Sequence, residues 1–394
     1  MNKIDWIIIF LLVLLFHGYI FYPLSLRFAA DLKRLFSKKS SSLPKDEEWP
    51  AVSMIIAAYN EEEILEQKII NSQELNYPKE KLEILIGSDG SRDRTADILR
   101  AHPEIRGVIF EKNRGKAAVL NDLISQASHE ILLFCDANTM LLPNAIRELV
   151  HHFADPQVGS VSGRLLLQSV DDQVALSYGE SLYWRIETTI KLLENEWGIV
   201  MGANGALYAI RKEYAASLPI NRTVMDDFFI TSSILMRGKK SLLIPTAIGL
   251  ETTSTERTGE FRRKIRIGRA NVNYLFRFLP LLNPFRPLIA YAFASHKLLR
   301  WLSSFLLLSL LLLSLYNALT TTLFSFSGAV VAAQLLFYSA AVVGWQADIK
   351  KKSLPICRLA YYFVSVNIAL LIGFFQAFRP TDGGGWERVS RQEN

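Results

Sequence analysis

Ile131-Leu132-Leu133-Phe134-Cys135-Asp136-Ala137-Asn138 ends an unbroken apolar run with a carboxylate, a small residue and an amide. A short apolar run bounded by polar residues reads as a strand buried on both faces, so its end lies at the carboxyl edge of a sheet. Asp and Asn there have two explanations. They satisfy backbone groups in a turn, or they hold a ligand. Neighbouring segments decide between them.

Three runs upstream share the pattern. Val52 to Ala58, Leu82 to Gly87 and Gly107 to Phe110 read as strands, and the polar-periodic stretches Glu61 to Asn71, Thr95 to Ala101 and Lys116 to Gln126 read as helices. Strand and helix in alternation predict an α/β, Rossmann-like, mainly parallel sheet covered by helices. Ligands bind such sheets at the carboxyl ends of the strands. The polar clusters Tyr59-Asn60-Glu61, Ser88-Asp89-Gly90-Ser91 and Asp136-Ala137-Asn138 all fall there. Singly, each is explained as a cap or turn; three at one edge point to a site. No G-x-G-x-x-G follows the first strand and no G-x-x-x-x-G-K-[ST] occurs around Lys116, which excludes a dinucleotide dehydrogenase and a Walker-type ATPase. Gly115-Lys116 at a helix start still offers free N–H groups and an ammonium, either to an anion or to solvent.

The flanks are of another character. Half of the 394 residues are hydrophobic, and the mean hydropathy is +0.18, more than a soluble enzyme needs. Trp6 to Leu26 has membrane-spanning length, and the basic segment after it (Arg27, Lys33, Arg34, Lys38, Lys39) marks the cytoplasmic side. Ser37 to Glu48 reads as a linker. Trp301 to Tyr316, Phe326 to Trp345 and Leu359 to Phe378 are three further apolar segments, and the lysines of Asp348 to Lys352 belong inside. Leu279 to Arg300 mixes apolar and basic residues, as a helix lying in the membrane interface does. The net charge of +6 is concentrated beside these apolar segments, which argues for a membrane surface and against nucleic acid. Two cysteines, Cys135 and Cys357, make no disulfide framework. The expected organisation is a transmembrane helix and linker (1–48), a cytoplasmic α/β domain (49–278), an interface helix (279–300), about three spans (301–379) and a tail (380–394).

Ala57-Ala58-Tyr59-Asn60-Glu61, Ser88-Asp89-Gly90-Ser91, Asn113-x-Gly115-Lys116-x-x-x-Leu120-Asn121, Asp136-x-Asn138 and Asp226-Asp227 follow one another in an order and spacing that resembles the membrane-bound inverting glycosyltransferases of family 2. That family has the GT-A fold and includes the cellulose, chitin, hyaluronan and poly-N-acetylglucosamine synthases. The resemblance covers about Trp49 to Asn273. It implies a nucleotide-sugar donor, UDP-linked, in a pocket formed by Ala58, Tyr59, Glu61, Asp89, Lys116, Asp136 and Arg263. It also implies Mg²⁺ or Mn²⁺ on the donor diphosphate, held by Asp136 and more weakly by Asn138, where the family's D-x-D has a second acid. The general base is then Asp227, the second acid of its pair. Gly202, Asn204, Gly205 and Asp226 face the acceptor, a growing or lipid-linked glycan.

Arg262-Arg263-Lys264-Ile265-Arg266-Ile267 matches the family's Q-x-x-R-W with Arg263 at the Gln, Arg266 at the Arg and Ile267 at the Trp. Arg266 would neutralise the departing diphosphate. Replacement of the indole, a stacking platform for acceptor sugar in processive synthases, weighs against a long-chain polymerase. The same segment is also explained as a membrane-apposed amphipathic helix. Gly383-Gly384-Gly385-Trp386-Glu387-Arg388 is similar to the Trp-containing tails of related enzymes, yet simple alternation of the spans leaves it outside. The implied protein is an inner-membrane glycosyltransferase of exopolysaccharide, capsule or envelope synthesis, in contact with lipid and open to partner subunits. The alternatives are a processive synthase that translocates through its own helices and an inactive GT-A scaffold.

Overall fold

The computed structural model describes residues 2–36, 49–168, 178–252, 257–350 and 352–379; the expected linker, Ser37 to Glu48, and the Trp386 tail lie outside them. Two membrane-end helices come first, α1 (Lys3–Phe16) and α2 (Tyr22–Phe36), joined by a π-turn. The α/β part then runs β1 (Val52–Ala58), α3 (Leu65–Gln73), β2 (Leu82–Asp89), α4 (Thr95–Ala101), β3 (Arg106–Phe110), α5 (Lys116–Gln126), β4 (Ile131–Cys135), β5 (Thr139–Leu141) and α6 (Ala145–Val150). It continues through β6 (Val158–Gln168), α7 (Tyr178–Asn195), β7 (Leu207–Arg211), α8 (Asp226–Met236), β8 (Lys240–Thr252) and α9 (Arg257–Phe278). After these come α10 (Pro287–Ala292), α11 (Leu299–Trp301), α12 (Ser303–Thr320), α13 (Phe326–Ile349) and α14 (Pro355–Gln376).

The described strands form one sheet in the order β3-β2-β1-β4-β7-β6-β8-β5. β3, β2, β1 and β4 are parallel. β7 joins β4 antiparallel, and β6 and β8 pair in parallel beyond it. Every residue of β1 is buried, because helices cover both faces. Its side chains alternate between two cores: Ile55 and Ala57 pack with α5, α8 and the membrane-end residues Tyr22 and Leu26, while Met54, Ile56 and Ala58 pack with α3 and α6. One face of the sheet is therefore continuous with the membrane stem.

Two expectations shift in detail. The first helix begins at Leu65, four residues late. Asn60 takes a positive φ of 54°, and the N–H groups of Asn60, Glu61 and Glu62 donate to Ser91 Oγ, Thr95 Oγ1 and Asp93 Oδ2. These residues form a turn, in which the Ile64 and Leu65 N–H groups both donate to the Glu61 carbonyl, and the regular helix follows it. The stretch Leu279 to Arg300 is not one interface helix. It comprises a 3₁₀ turn, α10, a π-turn over Phe293–Leu298 and α11, and the π-turn carries His296 inward, where it is 1% exposed.

Among the described residues, four helical segments are long and apolar enough to cross a membrane: Lys3–Leu35, Ser303–Thr320, Phe326–Ile349 and Pro355–Gln376. Their polar residues meet one another. Asp5 accepts from Asn317 Nδ2 at 2.8 Å and Ser327 Oγ at 2.7 Å, joining α1 to α12 and α13. The basic end of α2 docks on the α/β part: Arg34 pairs with Glu196 at 2.6 Å, and Lys33 donates to the Glu196 carbonyl and lies 4.7 Å from the Trp197 ring. The basic end of α2 is thereby held against the α/β part.

Candidate active site

β2 ends in Asp89, which is fully buried. Its two oxygens accept the N–H groups of Arg114 at 2.9 Å and Gly115 at 2.8 Å. Gly115 stands at φ 89°, a conformation that glycine adopts without strain. Asp89 therefore shapes the loop that starts α5, and that loop delivers Lys116 to the site. The Lys116 ammonium is 2.7 Å from Asp136 Oδ1 and 3.4 Å from Asp226 Oδ1. Burial opposes its charge, but the carboxylates of Asp136 and Asp226 prevail and hold it above the ordinary lysine range. Tyr59 and Glu61 follow β1 at the same edge, Glu61 buried and Tyr59 half-buried.

The turn after β4 is supported from beneath. Lys68 of α3 is fully buried; it donates to the Thr139 carbonyl and lies 3.0 Å from Cys135 Sγ. Asn71 exchanges two hydrogen bonds with the backbone of Leu141. Asp136 is thus fixed in place, its side chain 33% exposed. Asn138 donates its amide N–H to Glu251 Oε1 of β8 at 3.2 Å, which leaves its carbonyl oxygen for a cation. Among the described residues no group of three or more His, Cys, Asp or Glu is placed to hold a metal. One carboxylate and one amide oxygen fit a divalent ion that takes its remaining ligands from phosphate and water.

Asp226 and Asp227 open α8, where acids interact well with the helix dipole. The Tyr208 hydroxyl donates to Asp226 at 3.2 Å. Burial, and then the negative charge of Asp226, push Asp227 up to about 6, against the pull of Lys191, the Phe228 N–H and Lys116. Gly205 lies against this acid: a Cβ there would sit 3.2 Å from Asp227 Oδ2, so any side chain would crowd the carboxylate. Gly202 lies over the Phe228 ring. Asn204 is committed within the protein, donating to the Gly163 carbonyl at 2.6 Å and accepting from Lys191 Nζ at 2.9 Å. Its side chain holds the loop through these two bonds.

Arg266 and Arg263 part company. Arg266 is exposed, feels the charges of Asp226, Asp136 and Asp227, and makes no hydrogen bond or ion pair among the described residues. Arg263 binds Glu260 at 2.8 and 3.2 Å and stacks 5.8 Å from the Trp184 ring of α7. Lys68, Lys191, Tyr208 and Glu251 belong to the site and were not foreseen. Each comes from a distant part of the chain with no local motif to mark it.

Residues 53–215 match the family described as Glycosyl transferase family 2. An N-acetylglucosaminyltransferase of Rhizobium meliloti (strain 1021) is 26% identical over 258 residues, 61% of this chain and 60% of the relative. The poly-beta-1,6-N-acetyl-D-glucosamine synthase of Staphylococcus aureus (strain COL) is 37% identical over 121 residues, 30% of this chain and 29% of the relative. The matched stretch is under two thirds of the length of either relative. In three dimensions the chain resembles the mannosyltransferase PcManGT from Pyrobaculum calidifontis in complex with GDP-Man and Mn²⁺, with a TM-score of 0.68 at 20% identity, over 95% of this chain and 98% of that one. At that identity the likeness is one of fold. Together these findings make residues 53–215 a glycosyltransferase family 2 domain, of GT-A fold, in a chain whose described residues include four helices long and apolar enough to cross a membrane.

Proposed function

We propose that the protein moves a sugar with inversion from a nucleotide-sugar donor, UDP-linked, to a lipid-linked or growing glycan acceptor in exopolysaccharide, capsule or related envelope synthesis. The domain faces the cytoplasm and the helices lie in the inner membrane. The observation that carries this reading is the meeting of Lys116, Asp136, Asp226 and Asp227 from three chain segments at one edge of the sheet, with Arg266 facing them.

In this reading Asp227 takes the proton of the acceptor hydroxyl as that oxygen attacks the anomeric carbon. Arg266 and Lys116 receive the charge that accumulates on the leaving nucleoside diphosphate. Asp136 and the Asn138 carbonyl oxygen hold Mg²⁺ or Mn²⁺; when bound, the ion neutralises the diphosphate. Gly205 leaves the acceptor a path to the base.

The test is a donor panel on the full chain in lipid nanodiscs with Mn²⁺ or Mg²⁺, comprising UDP-N-acetylglucosamine, UDP-glucose, UDP-galactose and GDP-mannose. Release of nucleoside diphosphate from at least one donor, lost in Asp227→Asn with donor binding retained, is the expected result. No release from any donor, or turnover by Asp227→Asn at the wild-type rate, overturns it. Products of one or a few added sugars fit Ile267 in place of the indole; a ladder of long chains indicates the processive alternative.

A further inference from the structure

A set of charged side chains with no part in the transfer chemistry lies sealed between the sheet and the membrane stem. Glu187 and Glu194 stand two turns apart on α7, 8% and 0% exposed, with His296 between them at 1%. His296 Nδ1 is 2.6 Å from Glu194 Oε1, and Nε2 is 3.0 Å from Glu187. Lys297 Nζ at 3.1 Å and Arg300 at 3.2 Å complete the surroundings of Glu187. Arg300 also donates to the Gly18 carbonyl in the first membrane helix. Burial opposes the charge on Glu187, and His296, Lys297 and Arg300 outweigh it, holding that carboxyl well below the usual range.

Glu194 joins two parts of the molecule. Its Oε1 accepts the Tyr22 hydroxyl at 2.7 Å, and its Oε2 accepts the backbone N–H of Met201 at 2.9 Å. One turn earlier on α7, Lys191 donates to the Ala203 carbonyl at 3.1 Å and to Asn204 Oδ1 at 2.9 Å. Two buried side chains of one helix therefore grip Met201, Ala203 and Asn204, and the next residue, Gly205, lies against Asp227. From the other side, one of the two is gripped by Tyr22 of the N-terminal membrane helix and by His296 of the π-turn before the second span.

Stability alone does not call for this arrangement. Buried ion pairs repay their desolvation poorly, and apolar side chains of similar volume pack as well or better. What the charges add is one specified geometry. We propose that Glu194 is a positioning residue for the transfer: with Lys191 it sets the 201–205 loop against Asp227, and Tyr22 and His296 make that setting depend on the docked membrane stem. The N-terminal helix is then a working part of the transferase as well as an anchor. The loop's role in transfer rests on the function proposed above; the clamp itself does not.

The test is amide hydrogen exchange of the full chain in phosphatidylethanolamine–phosphatidylglycerol nanodiscs, for wild type, Glu194→Gln and the milder Tyr22→Phe, which removes one hydroxyl. Exchange over residues 199–206 should rise about threefold to tenfold, the factor that one hydrogen bond of roughly 1 kcal/mol represents, while the peptides of β1, β2 and the Asp136 turn stay as in wild type. Unchanged exchange at 199–206 in both variants, or an equal rise in β1 and β2, overturns the clamp. No substrate enters this arm, so its failure is distinct from failure of the donor panel. With the sugar nucleotide that the panel identifies, Tyr22→Phe should lower the ratio of transfer to donor hydrolysis severalfold and leave the donor KM unchanged. An unchanged ratio, or a raised donor KM, overturns the positioning role.

Discussion

If Asp227 is the base, the acid limb of the pH–rate profile lies far above that of an ordinary aspartate. Burial and the neighbouring Asp226 charge push Asp227 up to about 6. A base works only when deprotonated, and a pKa near 6 leaves roughly nine tenths of it active at pH 7 and one tenth at pH 5. kcat/KM, which reports the free enzyme, should therefore fall about tenfold between those values and approach unit slope below about pH 5. An aspartate at its usual pKa would remain almost wholly ionised at pH 5 and give a flat profile. Two substitutions move the limb in opposite directions. Asp226→Asn removes the repelling charge and lowers it; Lys191→Met removes the nearby cation and raises it. Initial rates of nucleoside diphosphate release across about pH 4.5 to 8 measure all three, with a thermal scan at each pH to show that the protein stays folded. A wild-type profile flat to pH 5, or both variants shifting the limb in the same direction, refutes the assignment.

The same shift bears on stability. Asp227 has a higher pKa folded than unfolded, so its ionisation penalises the folded state above about pH 6, and the penalty disappears below the usual aspartate value. Two units correspond to at most roughly 3 kcal/mol; Asp227→Asn should abolish transfer yet raise the melting temperature at pH 8, with the gain shrinking toward pH 4, and an equal or lower value at pH 8 contradicts this. Lys116 pairs with Asp136 and Asp226, so Lys116→Met should tighten Mn²⁺ binding measured without donor by about tenfold, the scale of one charged hydrogen bond. Electron paramagnetic resonance of unbound Mn²⁺ reads it, and equal or weaker binding counts against Lys116 as the competing cation. Asn138→Asp removes the N–H that Glu251 accepts and sets two carboxylates face to face. Its melting temperature should drop in chelator and recover in millimolar Mn²⁺; a drop that Mn²⁺ does not reverse argues against a cation at this turn.

How far the chain discloses all this depends on the range of the forces involved. β1 and β4 are apolar runs because each is covered on both faces, and that shows in any window of a few residues. The bounds of α4 and α5 agree with the periodicity to the residue. β6 and β8 carry no such signal. Their pairing shifts register between Val158 and Ser160 and again between Gly163 and Arg164, and Pro245 falls where β8 breaks from the ladder, a place that tolerates proline. Glycines and a proline within irregular strands look like loops until the partner strand is known.

The site divides along the same line. Acids at strand ends stand out locally, but the groups that set their behaviour arrive through the fold: Lys68 beneath the Asp136 turn, Lys191 beside Asp227, Glu194 behind Met201. Asn138 makes the point most sharply. Along the chain it is a missing second acid, and one carboxylate with a neutral amide is a weak cation site. In space its amide donates to Glu251, 113 residues away, so a carboxylate stands one hydrogen bond behind the position where the family pattern has one. A carboxylate in that place polarises the Asn138 amide and would add negative potential at a cation bound by Asp136, the outer-shell effect that tunes metal sites generally. The departure from D-x-D is thus partly made good by β8, through a contact that no reading of Asp136-Ala137-Asn138 alone supplies.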